Sequence, residues 1–229
     1  GFNSIGIASS GGAGRVTAEW MINGHMTEDL FSLDVKRFQK FHSNKKFIME
    51  RVTETLGDLY GMHWPYKQHK TSRDQKLLPY HKELKEMGAC FGQSGEYERP
   101  MWYAINGKKP EYEYSFNYQN WYPAVELESK NTTENVGLFE LSPFSKYEIK
   151  GKKAHSELQR ICTANIKNEV GRSTYTQMLN ESAGIEADLT VICINKNHFR
   201  IISGSMVRTH DKHHILKYLS KDLEFYDVT

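Results

Sequence analysis

Apolar residues recur with two periods along this chain, and the change of period divides it. In the first half the spacing is helical. Val16, Ala18, Trp20, Met21 and Ile22 fall at steps of three and four, and Gly24 is placed to end that helix. Ile48, Val52, Leu56 and Leu59 mark a second amphipathic helix over 45–60, followed by Gly61 and broken by Trp64-Pro65. A third is predicted to start near Pro79, to carry Leu84 and Met87 and to end at Gly88, with a short strand over 89–91. From Gly92 to about Pro123 the residues are rich in Gly, Pro, Tyr and Trp and read as a long irregular connection pinned by rings.

Past residue 125 alternation takes over. Strands are predicted over 136–139 and 145–149, then a helix over 152–161 with Ala154, Leu158 and Ile161 on one face. Strands over 173–179 and 187–194 flank the turn Asn180-Glu181-Ser182-Ala183-Gly184, and a strand over 199–203 and a helix over 207–219 complete the pattern. Helices and strands mix without a regular βαβ alternation, which predicts an α+β fold in two regions divided near residue 125.

Composition narrows the function classes. A chain of 229 residues holds one large domain or two small ones, and its net charge of +2 leaves no electrostatic footprint of a nucleic-acid binder. No apolar run approaches the roughly 20 residues that cross a bilayer, and no signal peptide is visible. Neither nucleic acid nor membrane is expected as a partner. Cys90, Cys162 and Cys193 are odd in number and far apart, so neither a zinc site nor a disulfide framework is suggested. Separate thiols fit a reducing compartment, a bacterial cytoplasm or, in a eukaryote, the mitochondrial matrix. The chain opens at Gly1-Phe2-Asn3 inside a glycine-rich element and stops at Asp227-Val228-Thr229, which suggests a piece of a longer polypeptide.

Two places carry candidate chemistry. Gly6, Gly11, Gly12 and Gly14 precede the first predicted helix, where free N–H groups and bare backbone could meet an anion or an electron-rich oxygen. A tight loop without a ligand has the same spacing. A dinucleotide fingerprint does not fit, because Thr17 stands where its third glycine belongs. Asp188 opens an apolar strand, and there a carboxylate must be paired, solvated or turned to a pocket. Facing a pocket it could accept from, or protonate, a ring nitrogen of a heterocycle; a turn-closing aspartate that caps backbone N–H groups looks the same locally. His210 and His214 would share a helix face, but no third metal ligand is apparent and no metal site is expected. Asn131-Thr132-Thr133 is a sequon without a secretory context. His63-Trp64-Pro65, Tyr97 to Pro100 and the rings Trp102, Tyr103, Trp121 and Tyr122 read as aromatic packing.

Together the motifs form an ordered series. Gly1 to Gly6 with Gly11-Gly12-Ala13-Gly14 resembles the end of the flavin-binding domain of sarcosine and dimethylglycine dehydrogenases. Asp29-Leu30 and Asp34 to Phe38 look like the segment leaving that domain. Tyr60, His63-Trp64-Pro65, Gly88 to Phe91 and Glu98 to Tyr103 resemble the family's central part. Val136 to Ser142 with Lys146-Tyr147, then Tyr175 to Asn180 and Gly184 to Val191, is similar to the start of an aminomethyltransferase-type folate-binding domain.

The resemblance implies an internal segment of a flavoenzyme that oxidises an N-methyl amine and passes the one-carbon unit to tetrahydrofolate. It implies the end of a flavin domain at 1–40, a central connecting domain at 41–125 and the first half of the folate domain at 126–229. Gly6, Ile7, Gly11 and Gly12 would lie against the flavin of FAD. Tyr175 and Asp188 would line the folate site, with Asp188 the acid–base residue. Ala183 replaces the first of two turn glycines and Ala187 the first of two aspartates; the single aspartate looks more like the dehydrogenase branch. The substrate would be a small N-methyl amine; the electron acceptor is not implied. The alternative is a folate-dependent aminomethyltransferase or methyltransferase without redox chemistry, and a third reading is a non-catalytic assembly module.

Overall fold

The computed structural model describes residues 5–229, so Gly1 to Ser4 of the glycine-rich series lie outside the described residues. The chain forms two compact units, Gly1–Gly61 and Met62–Thr229.

In the first unit α1 spans Gly6–Asn23 and α2 spans Lys45–Asp58, with three short 3-10 turns between them. Gly24 ends α1 as expected: it adopts φ +74° and its N–H reaches the Trp20 carbonyl at 2.8 Å. The start of α1 corrects the sequence reading. Gly11, Gly12 and Gly14 lie inside the helix rather than ahead of it. Interior glycines cost about 1 kcal/mol each relative to alanine, which weakens a helix without forbidding one. No residue of α1 is buried, and Ile7 is 99% exposed. Asn44 caps α2 by accepting from the N–H groups of Lys46 and Phe47 at 2.9 and 3.3 Å. Phe47 is buried edge-on against Phe41, while the stripe Ile48, Val52, Leu56 and Leu59 stays exposed.

The second unit opens with α3 (His81–Glu86) and an antiparallel hairpin of β1 (Ala89–Ser94) and β2 (Tyr97–Tyr103). Strand β2 overturns the irregular connection expected from Gly92 onward. Gly95 and Glu96 turn the hairpin at φ +57° and +70°, the left-handed pair that a two-residue turn needs. Pro100 is tolerated because it sits beside the register shift opposite Phe91, in a sheet of two strands. Helix α4 (Tyr122–Glu134) was not expected either; it buries only Ala124, so it has almost no apolar stripe to read. The strand expected over 136–139 does not form, and Val136 and Leu138 are 79% and 100% exposed.

Then follow β3 (Ser145–Lys150), α5 (Ala154–Ile161), β4 (Ser173–Leu179), β5 (Ile185–Asn195), β6 (His198–Ser203), α6 (Arg208–Tyr218) and β7 (Glu224–Asp227). Five of the strands make one antiparallel sheet in the order β4-β5-β6-β3-β7. Strict alternation sorts its side chains. Tyr147, Ile149, Leu189, Val191, Cys193, Phe199 and Ile201 face one side and are buried with Leu158 of α5 and Ile215 of α6. Lys146, Glu148, Asp188, Thr190, Ile192, Arg200 and Ile202 fall on the other, where no residue is as deeply enclosed. The mixed architecture is the α+β fold expected, with the candidate site on a one-sided sheet.

Candidate functional site on the open sheet face

Strands β4 and β5 place the two predicted folate-site residues together. Gln177 pairs directly with Asp188, and Tyr175 pairs with Thr190, so Tyr175 and Asp188 are diagonal neighbours on the open face. The nearby Asp188 carboxylate, as acceptor and as negative charge, raises the Tyr175 phenol above its ordinary value. Tyr175 is 65% exposed and Asp188 is exposed as well. The donor set suits a flat heterocycle: a ring to stack on, a carboxylate for its N–H edge, and the Gln177 and Thr190 side chains beside them.

The turn behind them is well made. Asn180 Oδ1 accepts from the N–H groups of Ser182 and Gly184 at 3.0 and 2.8 Å. Ala183 holds φ +62°, the conformation in which a glycine would be unstrained. A Cβ on Gly184 would come within 2.9 Å of the Asn180 side-chain amide, so a side chain here would push Asn180 off its turn hydrogen bonds.

Further along the open face is a charged group that the sequence pattern did not single out. Glu148 accepts from Arg200 at 2.6 Å, and Lys150 and His198 lie 3.2 and 3.0 Å from the same carboxylate. The Arg200 hydrogen bond is the main reason that Glu148 is held down at about 2. Only cross-strand register brings these residues together; Glu148 and Arg200 are 52 positions apart in the chain. On the helix side, Cys162, Thr163, Leu179, Asn180, Glu181 and Tyr218 line a cleft of about 290 Å³.

The flavin-side residues stand apart from this. Gly6 and Ile7 occupy the first turn of α1, and Gly11 and Gly12 the turns after it. A Cβ on Gly11 or Gly12 would meet nothing within 4 Å, so within its unit the helix forms no cradle. His210 and His214 do stack on α6, with ring centroids 6.4 Å apart, and both ring nitrogens of His210 face carboxylates.

Sequence comparison assigns the sheet-bearing region. The family described as the GCVT N-terminal domain matches residues 80–229. The chain belongs to that family. The segment before it, residues 23–77, matches the FAD dependent oxidoreductase central domain. The pairing of these two domains is the order that the resemblance to sarcosine and dimethylglycine dehydrogenases implied.

Individual relatives agree on the combination. A 4-methylaminobutanoate oxidase (formaldehyde-forming) from Paenarthrobacter nicotinovorans is 40% identical over 91% of this chain and 25% of its own length. The mitochondrial pyruvate dehydrogenase phosphatase regulatory subunit of Mus musculus is 33% identical over 100% of this chain and 27% of its own. Mitochondrial dimethylglycine dehydrogenase of Rattus norvegicus is 29% identical over 90% and 24%. The chain thus spans about a quarter of the length of these relatives. Among solved structures, a glycine cleavage system aminomethyltransferase T from Bartonella henselae superposes with a TM-score of 0.52 at 20% identity, covering 67% of this chain and 38% of that one. That likeness concerns the fold alone. Among the described residues no helix is long and apolar enough to cross a membrane.

Proposed function

We propose that this chain is the middle portion of a flavin-dependent dehydrogenase or oxidase that demethylates a small N-methyl amine and passes the one-carbon unit to tetrahydrofolate. The observation that carries the reading is the succession of an FAD oxidoreductase central domain and a GCVT N-terminal domain in one chain. A folate-dependent transferase without redox chemistry would have no use for the first of them. The names of the oxidase and dehydrogenase relatives support the amine class. The mitochondrial relatives and the bacterial one leave two compartments, matrix and cytoplasm.

In this reading the folate pterin stacks on Tyr175 and offers its N–H edge to Asp188 on the open sheet face. When bound, tetrahydrofolate supplies the nitrogens that capture a one-carbon unit. The chain's own part is to hold the ring and to accept or return a proton at the Asp188 carboxylate. Exposure suits that role, since β4 and β5 present the two side chains before any ligand covers them. Gly6, Ile7, Gly11 and Gly12 are assigned to the flavin side in the same reading. By itself α1 buries none of its residues.

The test uses the full-length polypeptide that carries this segment. Mixed anaerobically with sarcosine, dimethylglycine or 4-methylaminobutanoate, its flavin absorbance should bleach with one of them. Under turnover, free formaldehyde should fall when tetrahydrofolate is added. Bleaching without a folate effect would remove the second half of the proposal. A flavin that no N-methyl amine reduces would overturn the first, and would favour the regulatory role named for the mouse relative.

A further inference from the structure

Helix α6 reaches the β4–β5 hairpin at two places: Lys217 and Tyr218 each donate to Glu181 Oε1 at 2.6 Å in the turn, and the His210 ring bridges to Glu186 at the start of β5. His210 Nδ1 lies 3.0 Å from Asp211 Oδ1, and Nε2 lies 3.0 Å from Glu186 Oε2. A neutral imidazole has one N–H and one lone pair. Set between two carboxylate oxygens, only the doubly protonated ring donates at both ends. Asp211 is fully buried, and its Oδ2 finds no hydrogen-bond donor among the described residues. Glu186 continues the chain of contacts: its Oε1 accepts from Asn180 Nδ2 at 2.9 Å. The same Asn180 side chain holds the N–H groups of Ser182 and Gly184. The connection therefore runs from Asp211 through His210, Glu186 and Asn180 into the turn, two residues along β5 from Asp188.

The surroundings place the positive charge on this ring. The hydrogen bond that the ring donates to Asp211 raises His210 above 6.5; burial opposes it, and the charges of Asp211 and Glu186 add to it. Its neighbour His214 goes the other way, lowered by burial, with His210 and Lys217 adding to the fall. On the sheet side Tyr147 of β3 feels the charges of both Asp211 and Asp227 of β7, and Asp227 is itself paired with Arg208 and Lys212.

We propose that His210, held as an imidazolium between Glu186 and Asp211, is a positioning residue that locks the β4–β5 turn to α6 and so fixes the strand carrying Asp188. The importance of Asp188 rests on the folate reading; the lock itself does not. Its pH sign follows from the raised ring. The stabilisation is fully present below 6.5 and is lost as pH rises through the folded-state value. Acid closes the His210 link and alkali opens it, while the Lys217 and Tyr218 hydrogen bonds to Glu181 remain.

The test needs no ligand. The histidine-ring and backbone amide signals of the isotopically labelled 229-residue chain are followed by NMR from about pH 5.5 to about pH 9, a span that brackets ordinary histidine titration. The His210 ring should titrate above 6.5, and the amides of Ser182, Gly184 and Asp188 should move with the same midpoint. In Glu186→Gln the ring midpoint should fall, and in His210→Gln the turn amides should stop titrating. A ring that titrates at or below 6.5, or turn amides that stay flat across its titration, would overturn the proposal. Should either variant fail to fold, the wild-type ring and amide curves decide alone. Folinic acid affinity measured at the two ends of the range then separates the readings: no folate binding with an intact ring–turn coupling defeats the folate assignment and leaves the lock standing.

Discussion

Replacing Arg73 by methionine strands a carboxylate. Glu98 is 1% exposed and takes two hydrogen bonds from Arg73 Nε at 2.9 and 3.1 Å, a further close one from Nη2, and one from the Asp74 N–H at 2.9 Å. Arg73 also donates to the carbonyls of His69 and Phe91, so the pair holds the 69–74 loop to the β1–β2 hairpin. Removing one partner of a buried pair costs about 3–5 kcal/mol, whereas replacing both with apolar residues is often near neutral. In a unit of this size that cost lowers Tm by roughly 10 °C. The double variant Arg73→Met/Glu98→Met should recover most of the loss. The pH dependence should change sign as well. Burial pushes Glu98 up, but the Arg73 and Asp74 hydrogen bonds outweigh it, and its net position is below 4.5. In the native chain its contribution is present above 4.5 and is lost as pH falls through the depressed value. In Arg73→Met burial is left largely unopposed, so the carboxyl rises and the variant's deficit should shrink on acidification. Urea melts of the three proteins across mildly acidic to neutral pH give both quantities. A single-variant cost under about 1 kcal/mol, or a double variant no better than the single one, would refute the reasoning.

Other outcomes follow from the same geometry. Phe199→Ala empties a fully buried position under α5 and should cost about 3–5 kcal/mol in chemical denaturation. Gly95→Ala puts a Cβ against the Ser205 carbonyl at a left-handed backbone position and should destabilise by more than about 1 kcal/mol, read by thermal melting. Cys90 and Cys162 are pushed up by burial to about 11 and about 12, so both should resist alkylation near pH 8 until the chain unfolds, as peptide mass spectrometry would show. Rapid labelling of the folded chain would contradict that burial.

Past residue 140 the legible parts of the fold are those with one wet and one dry face, whereas α2 was legible from a stripe that stays exposed. β4 matches its predicted range of 173–179, and β3, β5, β6, α5 and α6 fall within a few residues of theirs. In each, burial selects alternate or helix-spaced positions strongly enough to leave a pattern. α4 left none, because a helix that buries only Ala124 has no stripe. β2 was hidden by Pro100 and two charged neighbours, although its hairpin turn and the Arg73–Glu98 pair hold it firmly. Val136 to Phe139 misled in the opposite direction: an apolar run implies burial only when something covers it, and here these residues are exposed. The site followed the same division. Asp188 was singled out at the end of one turn and Tyr175 came from the family resemblance, and local register alone makes them neighbours. Glu148 with Arg200, and His210 with Glu186, depend on long-range pairing that no local spacing records.

The most direct measurement is the affinity of folinic acid for the full-length polypeptide, by calorimetry, for the native protein and for Asp188→Asn and Tyr175→Ala. A lost charge-assisted hydrogen bond is worth about 1.5–3 kcal/mol, so Asp188→Asn should weaken binding roughly 10- to 100-fold. Loss of the ring in Tyr175→Ala should weaken it by about threefold to tenfold. Native-like affinity in both variants would place the folate somewhere other than the open face of this sheet.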